Sequence, residues 1–109
     1  MDERKIDIGT ITRLVAEDKM VWRNHILARM QQRGIKIQDV VDCILSGEII
    51  EQYFDDYPYT SCLILGCTDK GRCIHTVCAL GQDKVWMITT YFPDKEEWHD
   101  DFRTRRRKV

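Results

Sequence analysis

Three residues set four apart, His25, Arg29 and Arg33, are the first place in this chain where side-chain types and spacing suit chemistry. That spacing brings them to one side of a helix. With Trp22 at zero on a wheel of about 100° per residue, Ile26 and Met30 fall at about 40° and 80° and form an apolar stripe. His25, Arg29 and Arg33 fall at about 300°, 340° and 20°, a polar stripe along its edge. An imidazole titrates near neutral pH and can move a proton. A guanidinium presents a fork of donors matched to phosphate oxygens. The set therefore suits work on a phosphodiester. The plainer alternative is a surface helix whose arginines lie over apolar neighbours and pair with acids.

Further along, His75 stands in one β-branched run and Thr89, Thr90 and Tyr91 in the next. If the two runs are neighbouring strands, the loop at Gly81-Gln82-Asp83 decides what faces the imidazole. A two-residue loop sets His75 opposite Thr90. A three-residue loop sets it opposite Thr89, with Tyr91 on the same face. The sequence leaves both open.

The five cysteines, Cys43, Cys62, Cys67, Cys73 and Cys78, contain no C-x-x-C pair, which argues against a zinc site. A three-residue hairpin at Asp69-Lys70-Gly71, with Gly71 left-handed, places Cys67 opposite Cys73 and Cys62 opposite Cys78. The odd separation of 62 and 67 puts the pairs on opposite faces of the sheet, so four thiolates cannot converge on one metal. A cross-strand disulfide is conceivable, but cytosolic thiols are normally kept reduced, so free, buried cysteines acting as small apolar side chains are expected.

Positioning these residues takes helices first and strands after. Apolar spacing predicts a helix over 9–19, a second over 21–33 stopped by Gly34, and a third built on Ile37, Val40, Val41, Ile44 and Leu45 and ended by Gly47. Runs rich in Ile, Val, Thr and aromatics predict strands at Glu48–Phe54, Ser61–Cys67, Arg72–Leu80 and Lys84–Phe92. Their short connections make the sheet antiparallel. Asp94 with Glu97 resembles a capping box, and Trp98 and Phe102 could dock a last helix. The expectation is a single α+β domain over 1–109, with N-terminal helices packed on a four-stranded antiparallel sheet and a C-terminal helix or tail.

Composition sets the outer limits. The 109 residues suit one domain, no apolar run reaches membrane-spanning length, and no secretory signal follows Met1–Lys5, so the default expectation is a cytoplasmic location. A net charge of −1 hides segregation: residues 19–38 and 103–109 each carry five lysines and arginines and no acid. Such patches attract phosphate, although charge runs are commonly just solvated surface.

The run Trp22-x-x-His25-x-x-x-Arg29-Met30-x-x-Arg33-Gly34-Ile35, then Asp39-Val40 and Gly47-Glu48-Ile49-Ile50, resembles a bacterial and archaeal family known as domain of unknown function 4258. Ile74-His75-Thr76-Val77 and Ile88-Thr89-Thr90-Tyr91-x-Pro93-Asp94 resemble its second half, so the likeness covers about Lys19 to Trp98. Lys36 departs from it, standing where the family often has a Ser or Thr helix cap. The resemblance implies a fold similar to RelE-type toxins, within the barnase–EndoU–colicin–RelE grouping of ribonucleases that need no metal or other cofactor. It also implies a partner antitoxin with a zinc-ribbon or helix-turn-helix part. Carried onto this chain, the site is His25, Arg29, Arg33, His75 and Tyr91.

Metal-free RNA cleavage needs a base for the 2′-hydroxyl, cations for the charge on phosphorus and an acid for the leaving oxygen. His25 or His75 would serve as base and acid. Arg29 and Arg33 would hold the phosphate, and Tyr91 would orient it or stack on a base. Arg23 and Lys36 in one basic stretch, and Arg105, Arg106 and Arg107 in the other, would add affinity for RNA or ribosome-bound message. The rival reading is a non-catalytic module whose basic helix over 21–33 docks an acidic protein partner.

Overall fold

The computed structural model describes residues 5–107. Lys108, counted above with the basic tail, and residues 1–4, on which the reading of the N-terminus rests, lie outside them. The elements in chain order are α1 (Ile8–Ala16), β1 (Met20–Val21), α2 (Asn24–Arg33), α3 (Ile37–Ser46), β2 (Glu48–Tyr53), β3 (Ser61–Cys67), β4 (Cys73–Gly81) and β5 (Lys84–Tyr91). The class is α+β, as expected. The sheet, however, has five strands and is mixed, in the order β1-β5-β4-β3-β2, because β1 pairs parallel with β5 through Met20↔Val85 and Val21↔Trp86. Two residues are too few to leave an alternating pattern in the sequence.

Helix ends differ from the periodicity where local chemistry overrides it. The Asp7 carboxylate accepts from the Thr10 N–H at 3.2 Å and starts α1. That helix stops at Ala16 rather than 19, and Asp18 turns the chain with φ 60°. Because residues 20–21 join the sheet, α2 begins at Asn24 and Trp22 lies outside it. Gly34 caps α2 in the left-handed region, as expected. The missing Ser or Thr at position 36 is offset by Asp39, whose carboxylate accepts from the Lys36 N–H at 2.9 Å.

The β3–β4 hairpin has the expected register, with Cys67↔Cys73 and Cys62↔Cys78. At the other turn, Gln82 and Asp83 both have positive φ and form a two-residue loop. Alone it would set His75 opposite Thr90. A bulge between Val77 and Cys78 then shifts the ladder by one, so His75 pairs with Tyr91 and neither threonine.

The helices cover one face of the sheet. Ile11, Leu14, Ile26, Met30, Val40 and Ile44 pack there on Cys62, Ile64, Ile74, Cys78, Val85 and Met87. Alternation and register put Leu63, His75, Val77, Ala79, Trp86 and Tyr91 on the opposite face. The C-terminal segment crosses part of that second face. It is not a helix: a single turn forms in which the Asp94 main-chain carbonyl accepts from the N–H groups of Glu97 and Trp98, and the Asp94 carboxylate accepts from the Glu96 N–H. Phe102 has φ 54°, and Trp98 bridges back to Arg105. Buried Trp98 supplies the docking, through a looped tail.

Candidate functional site

The polar row on α2 forms as the wheel predicts. His25, Arg29 and Arg33 climb one side of a helix that packs along β5, about 12 Å from first to last by helix rise. At the upper end, the Arg33 guanidinium donates to the Thr90 carbonyl at 2.8 Å and to Thr89 Oγ1 at 3.4 Å. His25 and Arg29 are exposed and have no hydrogen-bond or ion-pair partner among the described residues.

His25 stands at the rim of a cleft of about 550 Å³ on the second face. Arg23, Tyr57, Tyr59, Trp86 and Ile88 line it as well. Tyr59 and Trp86 lie ring against ring, 5.6 Å apart and 33° from parallel. The Trp86 indole N–H donates to the Gly81 carbonyl at 3.0 Å, which fixes the ring. Gly81 is needed here: a Cβ would sit 2.3 Å from the Tyr59 ring. The Arg23 guanidinium lies 5.5 Å from the Trp86 ring centre, and Tyr57 is 94% exposed on the facing loop. Sequence reasoning missed Tyr57, Tyr59 and Trp86. Their one signal was two tyrosines flanking Pro58 in a loop, where polar residues are usual.

His75 occupies the opposite situation. It is fully buried, with both ring nitrogens engaged. Nε2–H donates to the Phe102 carbonyl at 2.7 Å, and Nδ1 accepts from the Tyr91 hydroxyl at 3.3 Å. Trp98 packs edge-on at 4.6 Å and Tyr91 at 5.3 Å between ring centres. Burial holds the His75 pKa below its ordinary value, against the pull of the Phe102 carbonyl and Glu51. Burial likewise raises the Tyr91 phenol. The structure thus joins His75 with Tyr91 but does not bring them to His25. The cleft reaches Ala79, four residues further along β4, about 13 Å away by strand rise.

The cations expected to bind RNA divide in the same way. Arg105 donates twice to the Glu51 carboxylate, at 2.8 and 3.1 Å, and stacks 4.5 Å over Trp98. Burial alone would raise Glu51, but its hydrogen bonds from Arg105 and Tyr53 bring it below the usual carboxylate value. Arg103 pairs with Glu48, and Arg106 donates to the carbonyls of Lys95 and Trp98. The side chains of Arg29, Lys36 and Arg107 stay exposed and unpaired among the described residues. No cluster of three or more His, Cys, Asp or Glu among the described residues is placed to hold a metal, and no helix among them is long and apolar enough to cross a membrane.

The model of a family described as domain of unknown function (DUF4258) matches residues 22–92. The chain belongs to that family. The match takes in α2, α3 and β2–β5, so every residue lining the cleft except Val21 falls within it. No curated protein and no solved structure matches the chain.

Proposed function

We propose that this member of the DUF4258 family binds unpaired RNA in the cleft between the start of α2 and the loop joining β2 to β3. The observation that carries the reading is the cleft's lining: three aromatic rings with Arg23 and His25 at the rim. Aromatic faces held beside cations are what unpaired bases and their phosphates require. The side chains of Arg29 and Lys36, unpaired among the described residues, extend the positive surface beyond the cleft. Duplex RNA buries its base faces and fits poorly.

A second reading, metal-free cleavage of the bound strand, is favoured by the exposed imidazole of His25, which has no partner among the described residues. His25 would take the 2′-hydroxyl proton and Arg29 would meet the phosphate, while the leaving oxygen draws its proton from solvent. His75 takes no part, because its nitrogens are occupied and sealed. Within this reading the chain acts as a RelE-like toxin, countered by an antitoxin partner.

Fluorescence anisotropy with a labelled single-stranded oligoribonucleotide in a chelator tests both readings. Binding that prefers single strand to duplex and weakens in Trp86→Ala and Arg23→Ala is expected. Absence of binding at low salt, or binding indifferent to both variants, removes the RNA reading and leaves the protein-docking one. Chelator-resistant cleavage and growth arrest on induction, both lost in His25→Ala, support the second reading. Cleavage that persists in that variant overturns it.

A further inference from the structure

The β3–β4 hairpin carries two cysteine pairs in one ladder, with opposite surroundings. Cys62 faces Cys78 on the helix-covered side, and both are 0% exposed. Cys67 faces Cys73 beside the turn, with Cys67 exposed and Cys73 half-buried. The expectation of buried cysteines therefore holds for Cys43, Cys62 and Cys78 but not for this pair.

The turn fixes their geometry. The Thr68 N–H donates to the Arg72 carbonyl and the Gly71 N–H to the Thr68 carbonyl, both at 2.9 Å, with Gly71 at φ 79°. Ladder bonds alternate, so the pair next to Thr68–Arg72 is a non-bonded one, with Cα atoms about 4.5 Å apart and side chains at their closest. That lies within the roughly 4.4–6.8 Å that a disulfide spans. All five cysteines are free thiols.

We propose that Cys67 and Cys73 are a modification site, forming a reversible disulfide by exchange with a small disulfide of the glutathione type. The Cys67 thiolate attacks one sulfur of that disulfide, making a mixed disulfide and releasing one thiolate. The Cys73 thiolate then attacks the Cys67 sulfur, closing the Cys67–Cys73 bond and releasing the second. The two protons end on the two released thiols, and the two electrons reduce the small disulfide. Cys67 reacts first because it is the exposed partner. Burial and the facing Cys67 raise the Cys73 thiol, so the closing step quickens as pH rises. The product ties the end of the hairpin beneath α3, where Ser46 Oγ accepts from the Cys67 N–H at 3.2 Å.

The test exposes the whole folded protein to oxidised glutathione and maps unreduced peptides by mass spectrometry, with circular dichroism confirming the fold. The expected result is a Cys67–Cys73 cross-linked peptide, the loss of two hydrogens from the intact mass, full reversal by dithiothreitol, and faster closure at pH 9 than at pH 7. Cys73→Ser should halt at one glutathione on Cys67, and Cys67→Ser should leave Cys73 mostly free. In the same digest Cys62 and Cys78 should remain thiols. Persistent glutathione adducts without closure, unreacted thiols, or a Cys62–Cys78 link in its place would each overturn the proposal.

Discussion

Two imidazoles, one at the start of α2 and one within β4, show how differently one residue type can be used. His25 sits at a cleft rim with no partner among the described residues, beside the half-buried rings of Tyr59 and Trp86. His75 is closed under Trp98, with a carbonyl on one nitrogen and a hydroxyl on the other. Their neighbours in sequence mark one as a helix residue and the other as a strand residue, but not which is open. The difference comes from where the C-terminal segment lies, crossing the His75 end of the second face and not the Trp86 end, where Tyr59 and Arg23 pack on the indole. An available imidazole beside cations can act on a ligand, whereas an enclosed and satisfied one holds the fold together.

The strongest way to break this contrast is to remove the cover. Trp98→Ala deletes a ring that is 1% exposed, and such deletions cost about 3–5 kcal/mol. Urea unfolding should register that loss. The folded fraction should still bind RNA with unchanged affinity, since the cleft is lined by other residues. Lost RNA affinity in folded Trp98→Ala would mean that the two ends of the face work as one site.

The opposite change falls on the open end. Trp86→Ala removes a stacking surface worth about 1–3 kcal/mol per base, or about 5- to 150-fold in affinity. Anisotropy titration reads this directly. Tyr57→Ala should act similarly with little effect on stability, because its ring is almost wholly exposed.

Much of the fold was legible because its signals are local. The periods of α2 and α3, the left-handed Gly34 and the Asp69–Gly71 turn each follow from neighbouring residues. The register of the first hairpin followed from its turn, including both cysteine pairings. The second hairpin did not, because the bulge at Val77–Cys78 shifts His75 onto Tyr91 and carries no sequence mark. The polar row on α2 was visible for the same local reason. The cleft was not, because Trp86, Tyr59 and Arg23 come from three separate segments. The burial of His75 was equally hidden, since it depends on residues 98–102 folding back across the sheet.

Acid sharpens the comparison. His75 has its folded pKa lowered by burial, so the unfolded chain binds the extra proton more readily. Its contribution to stability is complete above the ordinary imidazole pKa of about 6.5 and declines as pH falls from there toward the folded value. His75→Leu should lose about 1–3 kcal/mol at pH 8, because the Phe102 carbonyl and Tyr91 hydroxyl lose their partner. The gap from the parent should narrow between pH 6.5 and more acidic conditions. His25→Ala should change stability by no more than about 0.5 kcal/mol, as for exposed positions generally. Thermal melts over a pH series compare the two directly.

The smallest effect concerns charge. If every arginine of the two basic stretches met phosphate, affinity would fall steeply with salt. Three of the tail cations are already engaged: Arg105 by Glu51, Arg103 by Glu48, and Arg106 by main-chain carbonyls. Three contacts from Arg23, Arg29 and Lys36 give a log–log slope of about −2 on single-stranded RNA, at about 0.7 per phosphate. Arg29→Ala should make the slope shallower by about 0.7, whereas Arg105→Ala should leave it unchanged. Both variants carry the same change in net charge, so a general electrostatic attraction would move them equally. A slope twice as steep, or one that responds to Arg105, would show that the tail exchanges its acidic partners for phosphate when RNA arrives.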